Sequence, residues 1–192
     1  MAKKQGITLD EARRKLKKAV RPLHVPKRDE TKLLDHLFES GQFVAVVGDG
    51  RVGWVNRDLL NKDKVYAVHN EDLDLLSKCA DVLSELPDVL TNPIPLIADL
   101  LLFLFKYRRK RAELTALQGA ILLALKKSKG MGIESLVRKT NARLGPGTRR
   151  VLALDVSSVE VELRRLEKVR LKDGTTTAFV AEDGGRWVAV DV

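Results

Sequence analysis

The chain has 192 residues, 44% hydrophobic, 32% charged and only 5% aromatic, with 35 Lys and Arg against 26 Asp and Glu and a formal net charge of +9. That apolar content supports a core and excludes a wholly disordered chain. One cysteine excludes an internal disulfide framework and a Cys-rich zinc site, and the scarcity of aromatics argues against a stacking platform for single strands.

Residues 1–28 hold ten basic and two acidic side chains and read as a basic N-terminal arm. Within it, residues 8–20 (TLDEARRKLKKAV) place Leu9, Ala12, Leu16 and Ala19 on one face of a short helix, with cations opposite. Pro22 and Pro26 break it. Lys3, Lys4, Arg13, Arg14, Lys17 and Lys18 are candidates for phosphate contacts from a flexible tail, with affinity set by salt and not by base sequence. The bland reading of the same charge is a solvated tail that aids solubility.

An N-terminal domain is expected over residues 29–92. Its surroundings are acidic: residues 29–105 hold six basic and fourteen acidic side chains, net −8. A helix fits residues 30–39, with Leu33, Leu34, Leu37 and Phe38 facing inward and Gly41 ending it. Phe43 to Val47 and Val52 to Val55 read as a hairpin, and Lys64 to Val68 as a third strand. Gly48-Asp-Gly50-Arg-Val-Gly53 has the letters of a phosphate loop. It lacks the following Lys and Ser/Thr, and a strand comes next, so a hairpin turn is the better reading. Residues 70–86 form a helix with Asn70 as N-cap. Asp72, Asp74 and Asp81 give it a solvated acidic face, and Cys79 reads as a semi-buried structural thiol beside its apolar stripe.

Pro87, Pro93 and Pro95 mark a loop. Residues 93–111 then form a connecting helix, apolar almost all round over its first part and ending in the basic run KYRRKR (106–111). Such a helix is buried between layers or in an oligomer interface, which makes a homodimer an expected state. Its apolar part falls short of the roughly 20 residues a membrane span needs, and no apolar run follows the N-terminal cations as a secretory signal would require. A cytoplasmic protein with no membrane partner is expected.

Residues 112–192 carry the strongest pattern. Thr115 to Gln118 is a capping box that opens a helix with Leu117, Ile121, Leu122 and Leu125 on one face. After Gly130 and Gly132, Ile133, Leu136 and Val137 begin a second helix, followed by a Gly/Pro/Arg linker. Ser157 to Glu160 is a second capping box, opening a third helix to about Lys168. Thr176 to Ala181 and Arg186 to Val190 read as two strands around the turn Glu182-Asp-Gly-Gly185. On the third helix Val159, Leu163, Leu166 and Val169 make the core side. Ser158, Val161, Arg164, Arg165 and Lys168 lie opposite. Guanidinium forks, a hydroxyl near the helix N-terminus and an aliphatic contact are what a major-groove helix uses.

Leu122-Leu-Ala-Leu125, Gly132-Ile-Glu134 and Ser157-Ser-Val-Glu-Val-Glu-Leu-Arg-Arg-Leu-Glu-Lys168, followed by a hairpin, resemble the winged-helix transcription factors of the PadR and MarR kind. The resemblance covers roughly residues 112–192. It implies that the helix carrying the leucine–arginine–glutamate pattern is the recognition helix and that the hairpin is a wing, with Arg186 near its turn. The long linker of about residues 145–156 and the acidic turn at Glu182 and Asp183 depart from the pattern.

The expected fold class is α+β, a small N-terminal helix and hairpin domain joined by an apolar helix to a C-terminal winged-helix domain. The expected function is duplex DNA binding in transcription regulation or another DNA transaction. Ser158, Val161, Arg164, Arg165, Lys168 and Arg186 would form the interface, with Lys17 and Lys18 adding phosphate contacts. The rival is a protein-interaction or assembly module, in which a basic protein partner docks on the acidic N-terminal domain and the winged helix is scaffold. His24, His36 and His69 have no partner at ligand spacing and no catalytic grouping emerges. No enzyme activity, metal or cofactor is therefore expected.

Overall fold

The computed structural model describes residues 6–48, 51–54, 60, 62–109, 113–126, 128–144, 154–171 and 173–190. Lys3 and Lys4, the hairpin-turn residues Asp49 and Gly50, the end of the basic junction at Lys110 and Arg111, and the linker residues 145–150 lie outside them. Among the described residues the chain is mixed α+β, with eight α-helices and small antiparallel sheets. Two compact units are present, residues 1–80 with 93–102 and residues 81–92 with 103–192.

The first unit opens with α1, Leu9–Val20. The Thr8 side chain accepts the Glu11 N–H at 3.3 Å, and the acids of the first turn and the cations of the last suit the helix dipole. Leu9, Ala12, Leu16, Ala19 and Val20 are buried, and α1 packs against α2 (Lys27–Glu39) and β3 (Val65–Val68). Just before α1, Ile7 bridges Tyr66 of β3 through two backbone hydrogen bonds of 2.7 and 2.8 Å. Residues 6–23 are thus part of the folded first unit, where the sequence suggested an arm apart. The reason is the five buried side chains of α1, which favour docking more than its cations oppose it. α2 starts three residues ahead of the expected position, because Pro26 (φ −55°) already holds a helix-compatible φ at its N-cap.

β1 (Val44–Gly48) lies between β2 (Arg51–Trp54) and β3 and is antiparallel to both, with Ala45 opposite Trp54 and Val46 opposite Tyr66. α3 (Asn70–Ser84) follows β3. Cys79 is fully buried beside Leu76 and Ala80, and not half-exposed as its place on the helical wheel suggested.

The second unit includes a single helical turn, α4 (Pro87–Leu90), where a loop was expected. Pro87 supplies its first-turn φ, and the Asn92 amide donates to the carbonyls of Asp88 and Val89 at 3.0 and 2.9 Å. α5 (Ile94–Arg109) runs from the first unit into the second. Its Ile97, Ala98, Leu100 and Leu101 are buried in the first part, and Leu104, Phe105 and Tyr107 in the second. Most of its apolar side chains are therefore covered by this chain itself. No helix among the described residues is long and apolar enough to cross a membrane.

α6 (Ala116–Leu125) is the centre of this unit. Its capping box is complete: the Gln118 N–H donates to Thr115 Oγ1 at 3.2 Å, and the Thr115 N–H to Gln118 Oε1 at 3.1 Å. Every residue from Leu117 to Leu125 except Gln118 is buried, against α7 (Ile133–Arg143) and α8 (Val156–Glu167). Between α6 and α7, Gly130 has φ +117°, and a Cβ there would stand 3.2 Å from that of Arg186. Both constraints demand glycine. Met131, next in sequence, exchanges two 2.9 Å backbone hydrogen bonds with Trp187.

α8 starts earlier than its expected capping box. Asp155, and not Ser157, is the N-cap, and its Oδ1 accepts the Ser158 N–H at 2.7 Å. The strand run expected over residues 176–181 is broken in two. β5 (Thr176–Thr177) turns back onto β4 (Val169–Arg170), while β6 (Val180–Asp183) pairs with β7 (Arg186–Ala189). The break falls at Phe179, which is fully buried, donates its N–H to the Leu166 carbonyl at 2.8 Å and packs edge-on against Tyr107, ring centres 4.8 Å apart. The Tyr107 hydroxyl in turn donates to the Val190 carbonyl at 3.0 Å. Gly184 and Gly185 both have positive φ, 55° and 75°, as a two-residue hairpin turn twisted to match its strands requires.

Candidate nucleic-acid interface

α8 is anchored by Val159, Leu163 and Leu166, all buried. One to three residues from each of these anchors, the outer face carries Ser157, Glu160, Val161, Arg164, Arg165 and Lys168, all exposed. Val161 is 51% exposed, the largest value among the large apolar side chains of the described residues. Ser158 is only partly exposed, and its backbone N–H is spent on the Asp155 cap. That contact, first through the Ser158 N–H and then through its hydroxyl, holds the Asp155 carboxyl below its ordinary range.

The two arginines of this face are not free forks. Arg164 Nη1 donates to Glu167 at 3.1 Å and Nη2 to Glu182 at 2.9 Å, and its guanidinium carbon lies 4.9 Å from the Trp187 ring centre. The side-chain hydrogen bond to Glu167 leads in raising its pKa above an already high ordinary value, so this guanidinium is permanently charged. Register explains the constellation. Glu182 and Trp187 are directly opposite across the β6–β7 pair and so share the sheet face that meets α8. Arg165 Nη1 donates to Glu162 Oε1 at 2.5 Å, and the other oxygen of Glu162 accepts from Gln118 on α6 at 2.9 Å. Lys168, at the C-cap, is exposed, as is Arg186 opposite Asp183 on the hairpin.

Charge over this region is balanced. Residues 155–190 carry six basic and seven acidic side chains, although the chain as a whole is +9. Binding of a polyanion here would rest on direction and shape, since no net positive field supports it.

Lys17 and Lys18, the remaining residues expected at the interface, belong to the first unit. Lys17 Nζ donates to Glu30 Oε2 at 2.7 Å, whereas Lys18 points to solvent. Sequence reasoning did not single out Trp187 or Met131, and it noted Glu182 only as a repulsive turn residue. The two-residue turn Gly184-Gly185, which sets Asp183 opposite Arg186, carried the signal for the Glu182–Trp187 pair. Among the described residues no group of three His, Cys, Asp or Glu side chains is placed to hold a metal ion. Comparison with known protein families, with curated proteins and with solved structures finds no match to this chain.

Proposed function

We propose that the second unit is a winged-helix domain that binds duplex DNA through α8 and the β6–β7 hairpin, in transcription regulation or another DNA transaction. The observation that carries this reading is the two-sided character of α8. A 12-residue helix, buried along Val159, Leu163 and Leu166, offers Val161, Arg164, Arg165 and Lys168 outward beside a hairpin. At about 1.5 Å per residue it is roughly 18 Å long and narrow enough to enter a major groove about 12 Å wide. The pairs of Arg165 with Glu162 and of Arg164 with Glu167 are three-residue helix pairs whose arginines are more than half exposed, a class that adds little stability and leaves the guanidinium open to exchange for phosphate or guanine. The hairpin beside α8 is anchored through Trp187, over whose ring the Arg164 guanidinium lies and whose backbone Met131 bridges, which supports the reading of a fixed wing.

The test is a gel shift of a labelled duplex at 50 and 200 mM salt, with wild type and with Arg164→Ala plus Arg165→Ala. Binding that weakens steeply with salt and is further lost in the double variant supports the reading. Affinity indifferent to salt overturns it.

A second reading, a protein-docking module, is favoured by one specific observation. Glu182 and Asp183 at the hairpin end bring carboxylates to the face that would meet phosphate, and Glu182 already occupies Arg164. Co-purification of a partner protein lost on Val161→Asp, with no duplex shift at either salt, would select this alternative.

A further inference from the structure

α1 carries two kinds of cation. Arg13 and Lys17 lie on the flank next to α2, held by Asp35 at 2.9 Å and Glu30 at 2.7 Å, and Arg13 also lies 5.9 Å from the Phe38 ring centre. Arg14, Lys18 and Arg21 follow one another at spacings of four and three, so they line one ridge on the side away from buried Ala12, Leu16 and Ala19. All three are exposed, and among the described residues none has a carboxylate within ion-pair distance. Like charges at these spacings repel. The helix dipole accounts for Lys18 in the last turn and Arg21 at the C-cap, whereas Arg14 stands in the middle, one turn after the first-turn Asp10 on the same ridge.

We propose that Arg14, Lys18 and Arg21 form a phosphate-contacting ridge that docks on the backbone of a nucleic-acid duplex. Charge complementarity selects this occupant. Three cations in a row on a rigid helix match a repeating line of phosphates, and they read no bases. A lipid surface requires an apolar face beside the cations, and all the apolar side chains of α1 are turned into the core. A protein partner would be expected to use aromatic or aliphatic anchors, and the ridge has none. The ridge is independent of any role of α8 and stands or falls separately from it.

The experiment measures the full-length chain by fluorescence anisotropy on two labelled duplexes of unrelated sequence, between 50 and 200 mM salt. Each lost phosphate contact lowers the logarithmic salt slope by about 0.9, so Arg14→Gln, Lys18→Gln and Arg21→Gln together lower it by about 2.7. Over that fourfold range the wild type then loses about 40-fold more affinity than the triple variant, equally on both duplexes. Each single substitution lowers the slope by about 0.9, which keeps the test readable if the triple variant fails to fold. An unchanged slope in folded ridge variants overturns the ridge, and does so without touching the α8 reading if Arg164→Ala plus Arg165→Ala still weakens binding. A lowered slope with no effect of the α8 pair sustains the ridge and defeats that reading. Wild type that fails to bind either duplex overturns both. A loss confined to one duplex, or loss of an acidic protein partner with duplex binding intact, also overturns the ridge.

Discussion

Gly119 is a glycine in the middle of a helix, where alanine ordinarily stabilises by about 1 kcal/mol. At this position the structure reverses the sign. A Cβ on Gly119 would stand 2.5 Å from Val82 Cγ1 and 4.0 Å from Leu104 Cδ1. The first contact is about 1 Å shorter than a normal carbon–carbon separation. Val82 cannot step aside easily, because it is buried on α3 and a β-branched residue in a helix has one strongly preferred rotamer. Relief must come from α6 and the last turn of α3, which carries Val82 within the second unit, moving apart, an overpacking cost of about 1–3 kcal/mol. Net of the propensity gain, Gly119→Ala should destabilise by up to about 2 kcal/mol, a fall in Tm of up to roughly 8 °C for a chain of this size.

Urea unfolding followed by fluorescence reads this directly. A Trp54→Phe background leaves Trp187, which is buried in the second unit, as the reporter. Val82→Ala removes the offending methyl groups, so Gly119→Ala in that background should become stabilising by about 0.5–1 kcal/mol, a sign change that a double-mutant cycle isolates. If Gly119→Ala raises the urea midpoint with Val82 present, the close approach of Val82 to Gly119 is wrong.

Three further outcomes follow from particular groups. Thr140 is fully buried in α7 and its hydroxyl has no hydrogen-bond partner among the described residues, so Thr140→Val should be neutral or stabilising by up to about 2 kcal/mol in the same urea assay; a loss above 1 kcal/mol would reveal a partner. Asp155 has its carboxyl held below its ordinary value of 3.8, so its share of stability is present above that value and is lost as pH falls through the lower, folded one. Asp155→Asn, which keeps an N-capping oxygen, should flatten the decline of the urea midpoint below about pH 4, and an equally steep decline would contradict the cap. Glu182→Gln removes the charge but not the shape of Arg164's hairpin acceptor. Under the DNA reading it should tighten duplex binding a few-fold and steepen the salt slope by up to about 0.9, while unchanged or weaker binding counts against α8 facing DNA.

What was legible in the sequence was what four or five neighbouring residues decide. The apolar spacing of α1, the Thr115–Gln118 capping box and the two glycines of the β6–β7 turn all act locally, and each appears where its pattern placed it. Elements fixed by distant partners were not legible. Thr176 to Ala181 has the Thr, Phe and Val content of a strand, yet Phe179 leaves the strand because a core site between Leu166 and Tyr107 takes it. The candidate interface divides the same way. Glu162 and Glu167 stand three residues from Arg165 and Arg164, so those pairs were written in the helix period. The grip of Glu182 on Arg164 spans 18 residues and needed the hairpin register.

The separation of paired from unpaired cations also divides the labour between rate and lifetime. Residues 155–190 are slightly acidic, so α8 and its hairpin supply no long-range attraction to a polyanion; under the DNA reading they would supply oriented contacts that matter once the surfaces meet. Arg14, Lys18 and Arg21 are the reverse, exposed point charges with no directional partner on their ridge. Long-range charge acts on association, and short-range, geometrically fixed contacts act mainly on dissociation. Stopped-flow binding to a duplex should therefore show the ridge variant associating several-fold more slowly at 50 mM salt, the deficit closing at 200 mM, with little change in dissociation. Arg164→Ala plus Arg165→Ala should do the opposite, leaving association nearly intact and speeding dissociation. If the α8 pair slowed association as much as the ridge variant, the two surfaces would be one electrostatic field, and the balanced charge of residues 155–190 would have misled the assignment.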